Sequence, residues 1–284
     1  MKYGILKTGL LKSYKRNVDM KLNEQLLERE LVRLKKQEKS FLQKKSVKKD
    51  SKLNQFLEDK IPDKLQSTLD SAFAKAFSLV FEKGTGIIEK TYNREEIQNN
   101  YKIDVYSAEV KQNRSSLRNF SKKAKNTGTA NLILSGTAGI GLGVLGVGLP
   151  DIVLFTGIML KCVYQISLNY GFDYTSEDEK KFVLLIIKGA LSFGEDFRIA
   201  DKQINQYIAS GKFTFSKDVK TMINETSAFL SGELLYSKFL QGIAIVGAVG
   251  GAFNAVYMKR IEQYAELKYR RRFYALQIKD NPKS

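Results

Sequence analysis

Residues 126–150 read NTGTANLILSGTAGIGLGVLGVGLP, and the choice between two readings of this stretch decides the fold. It has no charged side chain and holds seven glycines: Gly128, Gly136, Gly139, Gly141, Gly143, Gly146 and Gly148. Gly141-Leu142-Gly143-Val144-Leu145-Gly146 matches the dinucleotide fingerprint, which works when a strand delivers glycines to a helix N-terminus and backbone amides face a pyrophosphate. That context is missing. No strand–helix–strand alternation follows, no acidic residue lies about 20 positions on to hold a ribose, and no Gly-Lys-Ser/Thr follows to make a phosphate loop. The other reading is helix packing. Gly136, Gly139 and Gly143, or Gly139, Gly143 and Gly146, fall on one helical face and let backbones approach closely, in lipid or in a tight core.

A second uncharged stretch, Phe239–Met258, is built the same way, with Gly247 and Gly251 four residues apart and Lys238 and Lys259–Arg260 at its edges. Each stretch approaches the ~20 residues that span a bilayer. Glycine costs a helix about 1 kcal/mol per site relative to Ala, so several in one segment need compensating surroundings. Burial between helices of the same domain and insertion into a bilayer both supply them, and the sequence leaves both open.

Outward from this centre the periodicity is helical. Asp19 to about Lys45 predicts a basic amphipathic helix, with Leu22, Leu26, Leu27, Leu31 and Leu34 on one face and lysine-rich linker residues 44–52 after it. Pro62–Asp63 opens a helix with Leu65, Leu69, Phe73, Phe77, Val80 and Phe81 on its apolar face. Residues 93–100 read as a loop or broken turn, and 104–125 as a single polar helix. Ser176 followed by Glu177-Asp178-Glu179 reads as an N-cap with an acidic first turn. Further helices are expected over 199–208, 218–240 and 259–278. No alternating strand run is found. The expected fold is all-α: a basic N-terminal segment over 1–52, and a multi-helix domain over 53–284 with the two glycine-rich segments at its centre.

Composition narrows the chemistry. The 284 residues include no His, which removes the commonest general base and metal ligand, and one Cys, which forbids an intrachain disulfide. No cofactor, metal site or catalytic set is expected. Cys162 is read as a packed thiol, and Glu195–Asp196 and Glu177–Glu179 as solvated helix-end carboxylates. The net charge is +17, of which residues 1–52 hold +10 and residues 259–284 hold +5. Such a charge favours an anionic partner, lipid or nucleic acid. Tyr269 and Tyr274 flank Arg270-Arg271-Arg272, a run that predicts a solvated face, with base stacking or a membrane interface as functional alternatives.

An ordered set of blocks resembles the EcsC family of bacterial proteins: Ile61–Pro62 with its helix, Gly148-Leu149-Pro150-Asp151, Tyr170-Gly171-Phe172-Asp173, Val246-Gly247-Ala248-Val249-Gly250-Gly251 with Asn254, then Ala265 and the arginines 271–272. The likeness covers roughly residues 20–275. It implies an intracellular bacterial protein of undefined biochemical role, working at the membrane, accessory to an ABC transporter or another membrane complex. It supplies no catalytic residues. Asp151, Tyr170, Asp173, Asn254 and Arg271 are the motif positions whose polar side chains are the first to mutate.

The expectation is therefore a non-enzymatic protein on the cytoplasmic face of the membrane. Lys35, Lys36, Lys44, Lys45, Lys48, Lys49 and Arg270, Arg271 and Arg272 are the candidate contacts with anionic lipid or a membrane-protein partner. Nucleic-acid binding through the same charge is the alternative. A carboxylate-based enzyme is the third reading.

Overall fold

The computed structural model describes residues 22–45, 63–81, 85–134, 150–240 and 252–279. Among them every regular element is a helix, as the periodicity predicts. In chain order these are α1 (Glu24–Lys45), α2 (Asp63–Leu79), α3 (Thr85–Glu89), α4 (Arg94–Lys111), α5 (Arg114–Leu134), α6 (Pro150–Asn169), α7 (Glu177–Leu191), α8 (Gly194–Ser210), α9 (Val219–Leu240) and α10 (Ala252–Lys279).

Two helices organise the rest. The apolar sequence of α6 has no polar face to give to water, so it is buried all round, from Phe155 through Tyr170. It packs against α2, α3, α4, α5, α7 and α10. Its one cation, Lys161, stays inside by donating to the Thr91 carbonyl at 3.1 Å. The second organiser is α10, which touches α1, α5, α6, α7 and α8. The leucine stripe of α1 is spent here. Leu27 and Leu34 are buried and Leu26 and Leu31 pack at the margin of the same core. No described helix is long and apolar enough to cross a membrane. Gly136, Gly139, Gly143, Gly146, Gly247 and Gly251 lie outside the described residues.

Local capping explains where the helices stop and start. Ser176 accepts from the Glu179 N–H at 3.2 Å, and Asp218 from the Thr221 N–H at 2.7 Å. Two expectations need correction. Residues 93–100 are not a loop. Asn93 caps α4 by accepting from the Glu96 N–H at 3.0 Å, and Glu95 and Glu96 fill the first turn. Nor is 104–125 one helix. Gln112 takes a left-handed conformation (φ 46°) that closes α4, and Asn113 caps α5 through the Ser116 N–H at 3.0 Å. The signal was present, since each Asn precedes a helical run, but the apolar period does not change across the break.

The Tyr170-Gly171-Phe172-Asp173 block has a backbone reason. Gly171 (φ 80°) ends α6 in a Schellman turn, with Phe172 N–H on the Ser167 carbonyl (2.9 Å) and Gly171 N–H on Leu168 (3.0 Å). The Tyr101 ring occupies the space a Cβ would need, so only glycine fits.

Cys162 sits on α6 with no exposed surface, and burial, with the nearby Glu262 charge adding to it, pushes its thiol far above the usual range. The native protein is expected to resist alkylation by iodoacetamide at neutral pH and to take up one equivalent in denaturant. Reaction of the native protein at the rate of a small thiol would contradict a central α6.

Candidate functional site: a cationic groove beside helix α10

The site is framed by the charges of α10, most of which face inward. A buried ion needs a partner, because losing its water costs several kcal/mol. Here each neighbouring helix supplies one. Lys268 is 2% exposed and lies 3.0 Å from Glu38 on α1 and 2.7 Å from Asp201 on α8. Asn205 on α8 accepts from Lys268 at 2.9 Å and from Arg271 at 3.1 Å, and Arg271 reaches the other oxygen of Glu38 at 3.0 Å. Tyr264 donates to Asp201 at 2.8 Å.

On the α7 side Glu179 receives Tyr269 at 2.7 Å and Arg272 at 2.6 Å. The Arg272 guanidinium also lies over the rings of Phe172, Phe182 and Tyr207, at 4.1, 4.9 and 5.0 Å. Burial raises the Glu179 carboxyl above its usual range, although Arg272 and Tyr269 pull it down. Toward α5 and α6, Glu266 accepts from Ser121 (2.6 Å) and Tyr170 (3.0 Å) and pairs with Arg270 (3.4 Å).

These contacts correct the reading of the arginine run. Arg270, Arg271 and Arg272 are half-buried rather than freely solvated: Arg271 and Arg272 tie α10 to α1, α8 and α7, and Arg270 pairs with Glu266 of its own helix. Lys45 moves with them. It is buried at the end of α1, donating to the carbonyls of Ala190 and of Ser192 (3.1 Å to the latter), where its charge meets the negative C-terminal end of α7. Lys35, Lys36 and Lys44 are exposed. Lys48 and Lys49 lie outside the described residues.

Three motif positions can be placed. Tyr170 and Arg271 belong to the α10 network. Asp173 pairs with Arg94 at 2.6 Å and accepts from the Thr175 N–H at 2.9 Å. Burial opposes its ionisation, but Thr175 and Arg94 outweigh that and hold its carboxyl below the usual range. The side chains of Asp151 and Asn254 lie outside the described residues.

Among the described residues, a groove of about 740 Å³ opens between α1 and α10. Five cations among the described residues line it, Lys44, Lys45, Lys125, Lys259 and Arg260, against two carboxylates, Glu262 and Glu266. Phe41, Phe193 and Leu267 give it an apolar wall, and Arg260 lies over the Phe193 ring at 5.3 Å. Burial raises the Glu262 carboxyl, while Lys125 and Lys259 oppose the shift. Sequence reasoning missed Lys125, Lys259 and Arg260 as partners of one site. Their signal was positional: Lys125 immediately precedes the uncharged stretch 126–150, and Lys259–Arg260 immediately follow 239–258. Among the described residues no cluster of three or more acidic or Cys side chains is placed to hold a metal.

The model of the EcsC protein family matches residues 25–273. No curated protein and no solved structure matches the chain.

The α10 network makes a direct prediction. Lys268→Ala leaves Glu38 and Asp201 buried without their shared ammonium and is expected to cost about 3–5 kcal/mol in urea unfolding. A loss near zero would mean that these charges are solvated.

Proposed function

The chain belongs to the EcsC protein family, and on that footing we propose that it is a non-enzymatic protein that associates peripherally with an anionic membrane surface at the cytoplasmic face. One observation carries the reading: α1, α5 and α10 each bring cations to a single groove, and two of those helices do so where the chain passes into an uncharged, glycine-rich stretch. Cations beside apolar segments suit the headgroup layer, where lysine stems lie along apolar surface and the ammonium stays in water. Lys35 and Lys36 extend the same charge along the exposed side of α1. Accessory work beside a membrane transporter fits this placement.

The raised carboxyl of Glu262 inside the groove favours a second reading, a carboxylate acting as general acid or base. A cationic groove also suits nucleic acid, so an oligonucleotide belongs in the same test.

Because α1 is packed into the body, point substitutions test the proposal better than removal of residues 1–52. The protein is expected to float with vesicles of phosphatidylglycerol and phosphatidylcholine, not with phosphatidylcholine alone, and to be released by 0.5 M salt on the order of screening expected for surface charge. Each lysine near the surface contributes ~1 kcal/mol, so Lys35→Ala with Lys36→Ala is expected to weaken flotation about thirtyfold. Equal binding to neutral and anionic vesicles, or tight oligonucleotide binding with no flotation, would overturn the proposal.

A further inference from the structure

The groove has the polarity of an amphiphile. Its cations come from three helices, Lys44 from α1, Lys125 from α5, and Lys259 and Arg260 from α10. Arginine offers paired N–H donors that match phosphate oxygens, and lysine offers compact charge beside them. The apolar side is contributed by Phe41, Phe193 and Leu267. The volume, about 740 Å³, suits a single small ligand rather than a long polyanion, which needs an extended track.

The two carboxylates do not cancel this character. Glu266 is already engaged by Ser121, Tyr170 and Arg270. Glu262 is buried and feels the charges of Lys125 and Lys259. Lys45 is committed to the α7 carbonyls, so it adds field to the groove floor rather than a contact. We propose that the groove between α1 and α10 binds one net-anionic, phosphate-bearing amphiphile, its phosphate on Lys44, Lys125, Lys259 and Arg260 and its hydrocarbon against Phe41, Phe193 and Leu267. This rests on the membrane reading and deepens it: the surface charge brings the protein to the bilayer, and the groove recognises an individual lipid molecule there.

The test is calorimetric titration of the full chain with dihexanoyl phosphatidylglycerol and dihexanoyl phosphatidic acid below their micelle concentrations, with dihexanoyl phosphatidylcholine and inorganic phosphate as comparators. At least one anionic lipid is expected to bind one-to-one, at least tenfold tighter than either comparator. Lys44→Ala with Arg260→Ala is expected to weaken it tenfold or more. Glu262→Gln is expected to tighten it severalfold, a gain that misfolding cannot produce.

Inorganic phosphate binding as tightly as the lipids would overturn the amphiphile and leave a plain anion site. Phosphatidylcholine binding as tightly would overturn the charge recognition. No binding by either anionic lipid, or no effect of the paired substitution, would overturn the site itself. Lys35→Ala with Lys36→Ala lies outside the groove and is expected to leave these titrations unchanged. Vesicle flotation without monomer binding therefore sinks the groove ligand alone, and monomer binding without flotation sinks the membrane reading alone.

Discussion

Everything in this fold is conditioned by a charged helix in a buried position. Along α10, which packs against five neighbouring helices, Glu266 and Lys268 are buried and Arg270, Arg271 and Arg272 half-buried. An unpaired buried charge would be prohibitive, so each neighbour is constrained to deliver a matching group at the right height. Thus α1 contributes Glu38, α8 contributes Asp201 and Asn205, α7 contributes Glu179, and Ser121 and Tyr170 bind Glu266. An apolar interface tolerates small slips of one helix along another. This one does not, because a slip of one turn would leave several ions without partners. The network therefore sets register more firmly than its net energy suggests.

The second axis, α6, solves the opposite problem. It has almost nothing polar to satisfy, and it becomes stable only by being surrounded. The two helices meet at Tyr170, whose hydroxyl reaches Glu266 on α10 just beyond the end of α6. The block that contains Tyr170 is therefore a joint. Gly171 allows the turn, the Tyr101 ring closes over it, and Asp173 is tied to Arg94 at the start of α4. The resemblance blocks that can be placed hold helices together, which explains why they read as a pattern without reading as a catalytic set.

What was legible in the sequence was what a short window contains. The apolar face of α2, the cap at Ser176 and the leucine stripe of α1 are local signals, and the structure agrees with them. The breaks at Asn93 and Gln112 were also local but were outweighed by a continuous polar composition. The fate of 270–272 was not legible at all. A charged run on a helix is normally solvated, and what turns this one inward is Glu38, separated from Arg271 by 233 positions. No period or composition carries that information. The groove failed to read for the same reason, since Lys44, Lys125 and Arg260 become neighbours only after α1, α5 and α10 have packed.

This redistribution changes what the net charge of +17 means for function. Lys45, Lys268, Arg271 and Arg272 are held within hydrogen-bonding distance of carboxylates or carbonyls inside the protein, so they add little to the potential that an approaching partner meets. Among the described residues, exposed cations lie on the outer side of α1 and around the groove, and others such as Lys64, Lys102, Lys202 and Lys220 on the remaining helices. Two of the groove's contributing positions border the only long uncharged stretches in the chain. A uniformly basic surface would favour any polyanion. The groove cations differ in standing beside apolar sequence, which suits the proposed partner, a lipid headgroup layer that is itself both charged and apolar.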